Sequence, residues 1–121
     1  MKNKKILKSL ISMFILSIII NGCTSPSSPS EGLKKYSGTW VSERTGRELF
    51  SIDGDGKISS SYFSEGTPKE ESENKFIIEN AKSGVTTGNV TLTFDTDTTV
   101  TMYLDFTTIP ETVRTHKGKK Q

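Results

Sequence analysis

The strongest constraint on the fold is a strict alternation of apolar and polar residues near the end of the chain. Residues 90–94 alternate apolar residues with threonine, and residues 100–106 repeat the alternation after a polar turn at residues 95–98. Because successive side chains of a strand point to opposite faces, each segment predicts a strand with one buried and one solvated face. No stretch after residue 33 keeps a helical period, so the sequence predicts an all-β domain.

Shorter runs bounded by turn residues predict the remaining strands. These strands are expected at residues 39–43, 47–52, 57–64, 75–79 and 112–116. The polar segments 65–74 and 80–89 are predicted to be mobile loops. We therefore expect a small antiparallel meander that forms a β-barrel or β-sandwich of six to eight strands. The predicted core consists of Trp40, Phe50, Ile52, Ile58, Tyr62, Phe76, Ile78, Val90, Leu92, Phe94, Val100, Met102, Leu104, Phe106 and Val113.

The first 22 residues have the three-part organisation of an export signal. Residues 1–8 carry four lysines, residues 9–20 form an apolar run, and the small residues Gly22 and Cys23 follow. The apolar run is shorter than the roughly 20 residues that span a bilayer as a helix. Cleavage is therefore expected, and a retained membrane helix or an ordinary signal peptide beside an incidental cysteine is the alternative.

The tetrapeptide Ile20-Asn21-Gly22-Cys23 resembles the lipobox of bacterial lipoproteins. The resemblance implies loss of residues 1–22, a diacylglyceryl thioether on Cys23, and acylation of its amine by a fatty acid such as palmitate. Two or three acyl chains together give stable membrane anchoring. In a diderm host, Thr24 after the lipidated cysteine favours the outer membrane. The chain is thus predicted to be an extracytoplasmic, lipid-anchored bacterial surface protein.

The residues beyond the lipobox divide into a tether, a domain and a tail. Residues 23–33 comprise Cys23 and a Ser/Pro-rich stretch that lacks the apolar surface needed to offset its ordering cost, so a flexible tether is predicted. The β-barrel-like domain is expected to span residues 34–116. Residues 117–121 are predicted to form a basic tail.

Charge and cysteine content exclude several classes of function. The formal net charge is +2, but the four signal lysines account for it, since removing them leaves 12 basic and 14 acidic residues. This acidic balance argues against a nucleic-acid partner. The only cysteine is Cys23, so the domain holds no disulfide, thiol nucleophile or thiolate metal cluster.

The start of the first predicted strand carries a second resemblance. Gly38-Thr39-Trp40 is similar to the Gly-x-Trp motif that opens the first strand of the calycin group of β-barrels, the lipocalins and avidins. The resemblance implies that Trp40 closes one end of the barrel. It also implies that a basic residue of the last strand packs over the indole, and Arg114 is the matching residue. Such a contact is a cation–π interaction.

The sequence shows no catalytic, cofactor-binding or metal-binding residues. Residues 53–57 begin like an EF-hand loop, but Lys57 stands where an oxygen ligand is required, so a hairpin turn is predicted. The acidic residues Glu70, Glu71 and Glu73 are interpreted as a solvated loop. His116, the only histidine, lies beside the basic tail and is interpreted as a surface residue.

These observations predict a binding protein rather than an enzyme. The first hypothesis is a lipocalin-like module that binds a small apolar ligand or an envelope component. The alternatives are a surface protein that contacts a host or envelope macromolecule, and an inhibitor of an envelope-directed enzyme. The predicted partners are the membrane, through the lipid on Cys23, and a ligand that the sequence does not identify.

Overall fold

Eight strands make up most of the computed structural model, which describes residues 25–121. Two short 3₁₀ helices, Gly32–Tyr36 and Glu111–Val113, complete the secondary structure of this part of the chain. The strands are β1 (Gly38–Ser42), β2 (Glu48–Ile52), β3 (Ile58–Ser59), β4 (Thr67–Ser72), β5 (Lys75–Ser83), β6 (Thr86–Phe94), β7 (Thr99–Asp105) and β8 (Thr115–Lys120).

The strands form one curled antiparallel sheet, a half-barrel, in the order β3-β2-β1-β8-β7-β6-β5-β4. The order joins two meanders, β1 to β3 and β4 to β8, through pairing of the first strand with the last. The all-β class and the expected strand number are confirmed. β3 and β4 are the two edge strands, so the chain link at residues 60–66 passes from one edge of the sheet to the other.

The two ends of the half-barrel differ. At one end, which we call the helix end, the 3₁₀ helix Gly32–Tyr36 covers the core, with Leu33 fully buried and the Tyr36 ring stacked 3.8 Å from that of Phe94. At the other end, which we call the mouth end, β1 finishes at Ser42 and β8 begins at Thr115. Antiparallel pairing therefore places the β5–β6 turn at the mouth end and the β6–β7 turn at the helix end.

Inward-facing side chains fill the space inside the half-barrel. Most predicted core residues are buried there, and the largest fully buried ones include Trp40, Phe50, Phe76, Phe94 and Phe106. Two core predictions are wrong to different degrees: Val113 is 49% exposed, and Tyr62 is only partly buried against the core. The core also contains buried residues that the sequence analysis left out, namely Leu33, Tyr36, Val41, Leu49, Phe63 and Ala81.

The N-terminal stretch predicted as a flexible tether packs on the domain from residue 25 onward. Ser27 is 3% exposed, donates its backbone N–H to the Ile58 carbonyl at 2.9 Å, and accepts the Ile58 N–H with its Oγ at 3.0 Å. Ser28 donates to the Gly66 carbonyl, and the Glu65 N–H donates to the carbonyl of Ser25, both at 3.0 Å. Residues 25–30, the seam segment, thus bridge β3 and the residues that lead into β4.

The seam segment escaped prediction because it is held by backbone hydrogen bonds and not by large apolar side chains. A polar strand-like segment satisfies the unpaired N–H and C=O groups of two sheet edges without burying a hydrophobic residue. The composition of the seam segment shows that large hydrophobic residues are missing, but it does not show which backbone groups form hydrogen bonds. The predicted signal at residues 1–22 and the predicted lipid on Cys23 lie outside the described residues.

The predicted basic tail is a strand, and the last predicted strand begins too early. β8 runs from Thr115 to Lys120, between β1 and β7, whereas residues 111–113 form the second 3₁₀ helix. The inward position at the centre of β8 is Gly118, so the strand lacks the apolar alternation that reveals the others. A side chain there would collide with the side chains of Leu49 and Val100.

The two predicted mobile loops are largely strand. Residues 67–72 form β4, an edge strand with almost no buried residue, and residues 80–89 belong mostly to the β5–β6 hairpin, whose turn lies at residues 84 and 85. The third predicted strand shrinks in turn to Ile58–Ser59. An edge strand needs no apolar face, which explains why its sequence resembles a loop.

Candidate functional site

The pair predicted to close the barrel is not brought together. Trp40 is fully buried, and its indole Nε1 donates a hydrogen bond to the Tyr36 carbonyl at 2.9 Å. Along β8, Trp40 lies opposite Lys120, whereas Arg114 precedes the strand at its other end and accepts the Leu104 N–H. At about 3.3 Å per residue, the two positions are about 20 Å apart along the strand. The predicted cation–π contact is therefore wrong, while the core placement of Trp40 is confirmed.

Arg114 instead fixes the connection between β7 and β8. Its Nε donates to the Ile109 carbonyl at 2.8 Å, and its Nη1 lies 3.6 Å from carboxylate oxygens of both Asp105 and Glu111. A hydrogen bond to the Tyr103 hydroxyl, aided by the two carboxylates, raises the pKa of Arg114 above its usual range. This side chain, 16% exposed, ties residues 105–114 to the mouth end of the sheet.

The connection held by Arg114 forms one wall of a cleft at the mouth end, with a volume of about 720 Å³. The β1–β2 hairpin forms the opposite wall, and Tyr62 contributes from the link between the edge strands. The lining residues are Ser42, Glu43, Arg44, Thr45, Arg47, Tyr62, Thr112, Val113, Thr115, His116 and Lys117.

The β1–β2 hairpin presents two arginines to the cleft through a compact hydrogen-bonded turn. The Oγ of Ser42 accepts the N–H groups of Arg44 and Thr45, each at 3.2 Å, and the Ser42 N–H donates to the Arg47 carbonyl at 2.7 Å. Gly46 adopts a φ of 75°, which a residue with a Cβ rarely adopts, so the turn depends on glycine here. Both arginines are thereby held on a defined backbone.

Lys117 joins the two arginines because the first and last strands are neighbours. The Glu43 N–H donates to the Lys117 carbonyl at 2.9 Å, which extends the β1–β8 pairing into the hairpin. Arg44, Arg47 and Lys117 are exposed, and within residues 25–121 none of the three forms an ion pair. The cleft is therefore lined by three cations without an ion-pair partner and by one acidic residue, Glu43, an excess of positive charge that attracts anions.

His116 and Tyr62 form the floor of the cleft. Their ring centroids are 5.2 Å apart, and the Nε2 of His116 contacts the Val113 carbonyl at 2.9 Å. His116 is partly buried on β8, and the residues that follow it continue the strand and do not form a tail. With a backbone carbonyl as partner, the imidazole is held in place next to the three cations.

A second recess of about 480 Å³ lies beside the seam segment, near the helix end. Its lysine Lys34 donates a hydrogen bond from Nζ to the Glu31 carboxylate at 2.7 Å, and this bond raises the pKa of Lys34. The remaining charges there, Asp55 and Lys57, are of opposite sign. This recess is charge-balanced, in contrast to the cleft at the mouth end.

Residues 53–57 form a turn, as predicted. The Asp53 carboxylate accepts the N–H groups of Asp55 and Lys57 at 2.9 and 3.0 Å, so its oxygen closes the loop. Across residues 25–121, no group of three His, Cys, Asp or Glu side chains is placed to hold a metal ion. The helices in this region are too short and too polar to cross a membrane.

Comparisons with known proteins find no match in sequence or in structure. No protein family, no curated protein and no solved structure matches this chain.

Proposed function

We propose that this chain is a lipid-anchored extracytoplasmic binding protein whose cleft at the mouth end takes an anionic component of the cell envelope. Cys23 carries the lipid and holds the protein at the membrane, the outer membrane in a diderm host. Arg44, Arg47 and Lys117 bind the phosphate or carboxylate groups of the ligand. Arginine suits this role because its planar guanidinium donates paired hydrogen bonds to such groups.

The observation that carries the proposal is the convergence of three unpaired cations on one cleft of about 720 Å³. The other exposed cations either pair with an acid, as Lys34 does with Glu31 and Lys82 with Glu65, or lie outside the cleft, as Lys35 and Lys75 do. The domain has more acidic than basic residues, yet three cations and only one acidic residue line the cleft, so the cleft favours anions locally.

The interior offers less support for a carrier of small apolar ligands. The aromatic side chains inside the half-barrel pack against one another, with ring centroids of Trp40 and Phe94 5.1 Å apart and those of Phe76 and Phe94 6.1 Å apart. An eight-stranded barrel has just enough interior for its own side chains or one small ligand. Here side chains occupy that space, so the polar cleft is the better candidate for ligand binding.

Replacing Cys23 by alanine is expected to abolish lipid attachment. A thioether cannot form without the thiol, and no other cysteine exists in the chain. The measurement is incorporation of labelled palmitate into the full chain expressed in bacteria, with Thr24→Ala as the control that keeps the cysteine. Palmitate on the Cys23→Ala protein would show that residues 20–23 are not a lipobox.

Removing the two hairpin arginines is expected to weaken anion binding at least ten-fold. Each charge-assisted hydrogen bond contributes about 1.5–3 kcal/mol, and about 1.4 kcal/mol corresponds to a factor of ten in affinity. Calorimetric titration with tripolyphosphate compares Arg44→Gln/Arg47→Gln with Lys35→Gln/Lys75→Gln, which removes two cations from the helix end. Equal affinities of the two variants for tripolyphosphate would contradict the assignment of the cleft.

A further inference from the structure

The path of the seam segment determines where a lipid on Cys23 leaves the domain. Ser30 lies against Gly56, near the start of β3, and the chain continues from there into the 3₁₀ helix at the helix end. In the opposite direction the segment passes Ile58 and reaches Glu65, where the Ser25 carbonyl accepts a hydrogen bond. The segment therefore runs along the open side of the half-barrel, from the helix end at residue 30 toward the mouth end at residue 25.

Ser25 is fixed close to the cleft. Its partner Glu65 directly precedes the start of β4, and Glu65 forms an ion pair with Lys82 at 3.8 Å near the end of β5. Both strand ends belong to the mouth end. Glu65 is also three residues from Tyr62, which lines the cleft, so at most about 10 Å of chain separates them.

Little chain remains between the domain and the lipid. Cys23 precedes Ser25 by two residues, which reach at most about 7 Å. If Cys23 carries the proposed lipid, this short reach brings the anchor to the mouth end and turns that end toward the membrane. A free tether of eleven residues, as the sequence predicts, would have left the orientation of the domain undefined.

Two further features of the mouth end suit a bilayer surface. The three cations of the cleft lie there, and cations near an anionic membrane strengthen attachment. Val85, at the tip of the β5–β6 turn, is fully exposed and is the most exposed large apolar residue in the described part of the chain. An exposed apolar residue at a hairpin tip can insert among lipid headgroups.

We infer that the half-barrel docks mouth-first on the membrane that anchors it, with Arg44, Arg47 and Lys117 bound to the phosphates of anionic phospholipid headgroups. The inference rests on the proposed function, since it names the membrane lipid as the anionic partner of the same cleft. It adds that the seam segment sets the orientation by delivering the lipid anchor to the same end of the domain.

The first test measures binding to vesicles made of equal parts phosphatidylcholine and phosphatidylglycerol. The protein is the chain from residue 23 onward with Cys23→Ser, which keeps all described residues and lacks the covalent lipid. Each basic residue at an anionic surface strengthens binding about five-fold, so Arg44→Gln/Arg47→Gln/Lys117→Gln is expected to bind roughly a hundred-fold more weakly. The matched control, Lys35→Gln/Lys57→Gln/Lys75→Gln, removes three cations from the helix end and is expected to retain most of its binding.

The second test reads the orientation directly. The Cys23→Ser chain has no cysteine, so Val85→Cys at the mouth end and Asp97→Cys in the β6–β7 turn at the helix end can each carry one fluorophore. With a nitroxide quencher on the lipid headgroups, quenching is expected for the label at residue 85 and not at residue 97. Thermal denaturation of each variant checks that it is folded.

The outcomes separate the inference from the proposed function. Equal loss of vesicle binding in the two triple variants, or stronger quenching at residue 97, overturns mouth-first docking. Absence of vesicle binding while tripolyphosphate still binds overturns the lipid assignment and leaves the anion-binding function in place. If neither probe binds, both fail. Selective loss in the cleft variant together with quenching at residue 85 supports the docking.

Discussion

Deleting residues 117–121 is expected to unfold the whole domain, although the sequence predicts that they form a basic tail. They form most of β8, which pairs with both β1 and β7. The final residues also donate to carbonyls on both sides, Lys120 to Thr98 and Gln121 to Thr39, each at 2.8 Å. Without this strand the sheet divides into a three-stranded and a four-stranded part, joined by nothing between β1 and β7.

The stabilising free energy that the deletion removes is expected to exceed the free energy of unfolding of the domain. A chain of this size is stable by about 5–15 kcal/mol, whereas the deletion exposes the inner faces of two neighbouring strands and leaves their edges unpaired. Circular dichroism and thermal denaturation of the chain from residue 23 onward, with and without the deletion, measure the effect. A truncated protein with a cooperative unfolding transition would show that β8 is not a structural strand.

Two single substitutions make the same test without shortening the chain. Gly118→Val adds a side chain that collides with Leu49, Val100 and the Val41 carbonyl, and overpacking of this kind costs about 1–3 kcal/mol. Lys119→Val changes the neighbouring, exposed position and is expected to alter the free energy of unfolding by less than about 0.5 kcal/mol. If position 118 belonged to a disordered tail, the two variants would be equally stable.

The sequence predicts those strands whose two faces differ. In residues 90–94 of β6 and in β7 the inward residues are apolar and buried while threonine is the commonest outward residue, so alternation alone locates these segments. β1 and β2 are less regular and are predicted from the turn residues that bound them, and Trp40 and Phe50 face each other across the pair. For these four strands, local pattern and tertiary environment agree.

Strands without an apolar face are missed. β4 is an edge strand with charged residues on both faces, and β8 presents glycine to the interior where its neighbours already fill the space. The seam segment is a third case, since only Ser27 is buried there. All three are held by backbone hydrogen bonds, β4 to the next strand and the other two also to elements distant in the chain. A single sequence does not encode which carbonyl will lie opposite which N–H.

The cleft could not be predicted for a related reason. Arg44 and Arg47 lie in a hairpin that the sequence does predict, but Lys117 is about seventy residues further along and falls in the segment interpreted as a tail. Pairing of the first strand with the last brings them together. The sequence signal for the cleft is the hairpin itself, whose two arginines flank a turn with no acidic residue between them. That signal does not identify the residues of the opposite wall of the cleft.

Trp40 is the centre of the aromatic cluster beneath the 3₁₀ helix at the helix end. It is fully buried, and its ring lies 6.1 Å from Phe50, 5.1 Å from Phe94 and 6.5 Å from Tyr36, measured between centroids. The indole N–H is bonded to the Tyr36 carbonyl, so the same side chain fills the core and holds the covering helix. Arg114, the residue expected to cover the indole, takes no part in this arrangement.

Replacing Trp40 by alanine is expected to destabilise the domain by about 3–5 kcal/mol, because the substitution leaves a cavity among rings that cannot collapse into it. At about 4–8 °C per kcal/mol for a domain near 100 residues, the melting temperature falls by at least about 12 °C. Trp40→Phe keeps a ring but leaves the Tyr36 carbonyl without its donor, and about 1–3 kcal/mol is expected. The lipocalin resemblance implies that Arg114 covers the indole. Arg114→Ala is nevertheless expected to leave the fluorescence of Trp40 unchanged. A Trp40→Ala protein that melts at the wild-type temperature would refute the placement of this residue in the core.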